Sequence, residues 1–79
     1  MVDYSVTREI DARGTFCPGP MMELIRAIRA AAVGDVVAVL STDSGSKRDI
    51  PKWCEKAGHE FLNIEHIDTY DRIVVRKAH

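Results

Sequence analysis

The chain has 79 residues, 46% hydrophobic and 29% charged, with 11 Lys and Arg against 12 Asp and Glu and a formal net charge of -1. That length suits a single domain over residues 1–79, and the composition excludes a disordered chain. The near-neutral balance excludes a global positive field, so neither direct nucleic-acid binding nor attachment to an anionic membrane is expected.

No stretch approaches the roughly 18 apolar residues of a membrane span, because Arg26 and Arg29 interrupt the longest one. The chain opens without a basic segment followed by an apolar run and cleavage site, so a cytoplasmic location is expected. Two cysteines, Cys17 and Cys54, are too few for a disulfide framework, and free thiols in a reducing compartment are the expectation.

Residues 4–10 alternate well enough for a first strand, with Tyr4 and Val6 on one side and Ile10 closing the run. Asp11-Ala12-Arg13-Gly14 reads as a turn. Thr15-Phe16-Cys17-Pro18-Gly19-Pro20 follows, with two prolines around one glycine and Phe16 as an anchor against the core. Proline lacks an amide donor and suits a helix mouth, where the first amides have no intrahelical partner. Cys17 is thereby expected at or just before a helix N-terminus, where unpaired N–H groups and the helix dipole favour a thiolate. The other reading of Cys17 is a small buried hydrophobe at a turn.

Over residues 21–32 the period becomes helical, with Met21, Leu24, Ile25, Ile28 and Ala32 as the apolar stripe. Glu23, Arg26 and Arg29 fall off it. The two arginines are either a solvated face, with Glu23 paired to Arg26, or a docking edge beside Cys17. Gly34-Asp35 ends the helix, and the apolar run 36–40 reads as a central strand. Residues 41–48 read as a polar loop carrying Lys47 and Arg48, weaker docking candidates that reach the same edge if the two helices run parallel. Asp49 is expected to cap a second helix with Pro51 in its first turn. Ile50, Trp53, Cys54 and Ala57 form that helix's buried stripe, which makes Cys54 structural, and Gly58 supplies a left-handed C-cap. His59 is either a local structural group or a proton-handling surface residue. Residues 60–67 read as a strand with a bulge at Leu62, 68–71 as a hairpin connection and 72–77 as the last strand.

The order βαβαββ with one apolar face per helix implies an α/β (α+β) two-layer sandwich, both helices on one face of a four-stranded mixed sheet. The other face is expected to be partly exposed. Cysteine and histidine spacing matches no zinc site, and neither Ser44-Gly45-Ser46-Lys47 nor the pair Gly14 and Gly19 forms a nucleotide-binding loop, so no metal and no cofactor are expected. A hydrolytic pair of Cys17 with His59 would leave little chain to build a pocket around it. Thiol exchange or persulfide transfer needs only an accessible, tuned thiolate.

Asp11 through Pro20, then Gly34, then Arg48-Asp49-Ile50-Pro51-Lys52-Trp53-Cys54 and Gly58-His59, resemble the TusA/SirA-like sulfur carriers of bacteria and archaea, marked by a Cys-Pro-x-Pro element. The resemblance runs from Ile10 to the last strand. It implies the same two-layer fold and a persulfide on Cys17, with Gly14, Pro18, Gly19 and Pro20 as motif support. It also implies a cysteine desulfurase or rhodanese-like donor and a DsrE-type sulfurtransferase acceptor, without independent turnover of small molecules. Gly19 stands where tRNA-thiolation members carry an acidic residue. Members of the family also supply molybdenum-cofactor maturation and dissimilatory sulfur oxidation, so the resemblance implies a relay and leaves three routes open. The alternative from a different class is a thiol-redox or regulatory interaction module in which Cys17 never carries sulfur.

Overall fold

The structure, a computed structural model, describes residues 5–15 and 19–79. The elements are β1 (Arg8–Asp11), α1 (Gly19–Ala30), β2 (Val36–Ser41), α2 (Ser44–Ala57), β3 (Glu60–Ile67) and β4 (Tyr70–Arg76). They form one four-stranded sheet in the order β1-β2-β4-β3. β1 and β2 are parallel, joined by a helical crossover, while β4 is antiparallel to both of its neighbours. The expected mixed sheet and βαβαββ order are both present.

Side chains alternate across the sheet, and this alternation divides the interior. Val37, Val39, Ile73 and Val75 face both helices and meet Leu24, Ala27 and Ile28 of α1 and Ile50 and Cys54 of α2. Val36, Ala38 and Val74 point the other way, where Val6 and Leu62 pack on them. Among the described residues no helix covers this second face. Arg72 Nε donates to Glu9 Oε2 at 2.9 Å while its Nη1 lies 3.4 Å from Glu65, and Arg76 Nη1 reaches Glu60 Oε2 at 2.7 Å. Aliphatic arginine stems laid on the sheet exclude water from the valines beneath while the charged ends stay paired in solvent.

Several boundaries differ from the sequence reading. β1 begins at Arg8, which pairs with Val37 one residue into β2; Tyr4 lies outside the described residues. Thr7 still joins the edge, donating its amide to the Val36 carbonyl at 2.7 Å. α1 runs two residues earlier at each end than expected, with Pro20 buried in its first turn and Ala27, in place of Ala32, completing the buried face. It stops because Asp35 intervenes: its Oδ2 accepts from the Ala32 amide at 2.9 Å.

The largest correction concerns α2. Asp43, not Asp49, stands at its N-cap, so Asp49 lies inside the helix and so does Pro51. The polar stretch 44–47 is helical because Ser46 is fully buried, four residues ahead of Ile50 and eight ahead of Cys54 on the same helix face. Ser46 donates its amide to the Asp43 carbonyl at 3.2 Å and its hydroxyl to Asp43 Oδ2 at 3.3 Å, which makes its burial tolerable. Pro51 leaves the Lys47 carbonyl without its helical donor, a local weakness that the packing offsets.

The bulge expected at Leu62 is present as a register shift between Phe61 and Asn63. The hairpin is shorter than expected, only Asp68 and Thr69, with Asp68 at φ 53°, so that Tyr70 and Asp71 belong to β4. Gly58 ends α2 at φ 79°, donating to the Cys54 carbonyl at 2.9 Å. A Cβ there would also stand 3.1 Å from His79 Nε2. Gly58→Ala is therefore expected to lower unfolding stability by about 1–2 kcal/mol, measurable in urea.

Candidate functional site

Parallel pairing of β1 with β2 brings both C-terminal strand ends, and the starts of both following helices, to one end of the sheet. β4 runs against β2, so the β3–β4 turn lies there too. The loop after β1 is secured by short-range contacts. Ala12 is buried and donates its amide to the Leu40 carbonyl at 3.0 Å, extending the ladder past the strand. Gly14, at φ 87°, donates to Thr42 Oγ1 at 3.1 Å, tying this loop to the one after β2. Thr15 turns back, its hydroxyl donating to the Ala12 carbonyl at 2.7 Å.

Asp11 and Arg13 form a two-pronged pair, Nε to Oδ1 and Nη2 to Oδ2, both at 2.8 Å. The Arg13 guanidinium also lies 4.7 Å over the Tyr70 ring, which joins the loop to the start of β4. Hydrogen bonding from Arg13 holds the Asp11 carboxyl down at about 2. Because the folded value is depressed, this pairing is present above the ordinary value of 3.8 and is lost only as pH falls through 2.

Phe16, Cys17 and Pro18 lie outside the described residues, between Thr15 and Gly19, both of which are described. Gly19 opens α1, and a Cβ on it would stand 3.0 Å from Thr15 Oγ1. The missing side chain allows the loop to close against the helix start. This is a local physical reason for glycine at the position where an acidic residue was the comparison.

The remaining candidates separate along the helices. Lys47 and Arg48 lie in the first half of α2, toward this same end. Lys47 is exposed, with its Nζ 3.6 Å from Asp71, a largely buried carboxylate that also holds His66 Nδ1 at 2.9 Å. Arg48 is exposed, with Nε 3.9 Å from Asp49 Oδ1. Arg26 and Arg29 are set about 10 and 15 Å along α1 from its start at Gly19, from the rise per residue. Arg26 pairs with Glu23 at 3.1 Å, and Arg29 sits in the last turn, where its charge complements the helix dipole.

His59 follows the C-terminus of α2, about 20 Å along that helix from the end just described. Its Nδ1 accepts from the Ala78 amide at 3.1 Å, and its ring stacks on His79 at 4.8 Å and tilts against Trp53 at 5.4 Å. Burial, followed by the charges of His79 and Lys77, pulls its pKa below the usual imidazole value. This geometry describes a neutral ring holding the chain end against α2.

Cys54 is buried at 1% exposure, and desolvation pushes its thiol up to about 11. In the folded protein it is expected to resist alkylation at neutral pH. Cys54→Ser should cost about 1–3 kcal/mol in urea unfolding by placing a hydroxyl in the core, without changing chemistry at Cys17.

Sequence reasoning did not find Arg13, Thr15, Thr42 and Tyr70 as supports of this loop. They become neighbours only through strand pairing, and nothing in their spacing shows it. No helix among the described residues is long and apolar enough to cross a membrane.

The family model described as "Sulfurtransferase TusA" matches residues 8–77, nearly the whole chain and all of the loop just described. The chain belongs to the TusA family of sulfur carriers. An Archaeoglobus fulgidus protein, provisionally named a sulfur carrier, is 52% identical over 68 residues, covering 86% of this chain and 93% of that one. The "Sulfur carrier protein TusA" of Pseudomonas putida strain W619 is 39% identical over 79 residues, 99% of each chain. The fold is also that of the crystal structure of a SirA-like protein from Desulfitobacterium hafniense, with a TM-score of 0.80 at 24% identity, covering 92% of this chain and all of the other.

Proposed function

We propose that this protein carries sulfur as a persulfide on Cys17, receiving it from a cysteine desulfurase or rhodanese-like donor and handing it to a DsrE-type sulfurtransferase in the cytoplasm. The observation that carries this reading is a family match whose span, residues 8–77, includes the Cys-Pro-x-Pro element, the cysteine of which stands two positions before the first residue of α1. The Cys17 thiolate attacks the outer sulfur of a donor persulfide, an S–S bond forms on Cys17, and the donor thiolate leaves. An acceptor thiolate then attacks that same outer sulfur and Cys17 departs as a thiolate. Each step exchanges one S–S bond for another with no net oxidation. A helix N-terminus favours Cys17 both as nucleophile and as leaving group, because each role needs the thiolate.

The relay serves tRNA 2-thiolation, molybdenum-cofactor maturation or dissimilatory sulfur oxidation, depending on the partners present. Incubation with a cysteine desulfurase and L-cysteine is expected to add about 32 Da, removable by reductant and mapping to the Cys17 peptide. A protein that gains no sulfur from protein or polysulfide donors is instead a thiol-redox or interaction module.

A further inference from the structure

Between the first turn of α1 and the middle and second half of α2 lies a groove of about 290 Å³ lined by Met21, Asp49, Lys52, Trp53 and Lys56. Its apolar lining is Met21 and Trp53, both half-buried and packed against the core at their inner ends. Its α2 rim is basic. Arg48, Lys52 and Lys56 are spaced four apart, so they form one exposed row along the helix, with Asp49 at its near end. Among the described residues neither Lys52 nor Lys56 has an ion-pair partner. Like charges four apart destabilise a helix, and a protein of net charge -1 has carboxylates available to neutralise them. Lys52 and Lys56 thus stand uncompensated beside an apolar slot, while Arg48 is offset by Asp49, and Met21 at the slot's edge follows Cys17 by four positions in the chain.

The geometry points to this groove as the docking site for an acidic, amphipathic segment of the protein that exchanges sulfur with Cys17. One apolar side chain would enter between Met21 and Trp53, while carboxylates along the same segment meet Lys52, Lys56 and Arg48. This inference rests on the sulfur-carrier reading and adds to it the charge and shape of the partner. The rim charges act chiefly on encounter and specificity. Small donors, which need no docking, bypass them.

The test measures sulfur transfer with the full chain in two arms, from a cysteine desulfurase fed L-cysteine and to a DsrE-type sulfurtransferase. The variants are the Lys52→Glu, Lys56→Glu pair and the Lys52→Arg, Lys56→Arg pair, both at exposed positions. With charge reversed, the half-saturating partner concentration is expected to rise about tenfold in at least one arm and to lose its salt dependence. The arginine pair should behave as the parent, and loading by inorganic polysulfide should be equal in all three proteins. Unchanged half-saturation in both arms overturns the docking site while leaving the carrier reading intact. A carrier that self-associates through these lysines, shown by a sedimentation mass that halves in the glutamate pair, assigns the groove to a second copy and also overturns it. Failure of polysulfide to load the parent protein identifies the carrier reading itself as the failure.

Discussion

Cys17→Ser is expected to abolish sulfur loading from every donor, with the 32 Da gain falling below detection, while urea unfolding and circular dichroism stay close to the parent. Serine has the same shape but no accessible anion at neutral pH and cannot hold a sulfane sulfur in an exchangeable S–S bond. The remaining thiol cannot take over, because Cys54 is enclosed between α2 and the sheet with a pKa near 11. Intact-mass measurement of Cys17→Ser and Cys54→Ser side by side checks both statements. Reductant-labile sulfur on Cys17→Ser would show that the chemistry lies elsewhere.

Leu24→Ala is expected to have the largest effect on stability. Leu24 is fully buried in the core cluster that joins α1 to the sheet, five residues from the helix start. Its truncation should cost about 2–5 kcal/mol, a large share of the roughly 5–15 kcal/mol available to a small domain. The midpoint should fall by about 4–8 °C for each kcal/mol, as thermal denaturation would show. Loading of Cys17 under strongly folding conditions should survive; its loss there would mean that Leu24 also holds the reactive segment in place.

Much of the architecture is legible in the residues. The switch from a period near two to a period near four at Met21, the continuous apolar run at β2 and Gly58 after Lys56 each reflect a local energetic preference strong enough to survive folding. Even the bulge at Leu62 shows as a slip in alternation, since an extra residue in one strand must turn two neighbours out of phase. The start of α2 was not legible. Ser44, Gly45 and Ser46 have loop-forming chemistry, and only the buried contacts of Ser46 and the bonds to Asp43 draw them into the helix.

The functional site divides in the same way. The sequence by itself determined the family, the element order and the place of the Cys-Pro-x-Pro element ahead of a helix: a cysteine followed by Pro-x-Pro and then a helical period is a local pattern, and local patterns are written in consecutive residues. Only the tertiary structure decided which distant residues meet. Parallel pairing of β1 with β2 set Gly14 against Thr42 and Arg13 over Tyr70, moved His59 to the far end of α2, and aligned Met21 with Trp53 beside Lys52 and Lys56. These residues lie far apart in the chain, and their proximity depends on strand order and register. Side-chain burial across the whole sheet selects both, and no single segment of sequence encodes them.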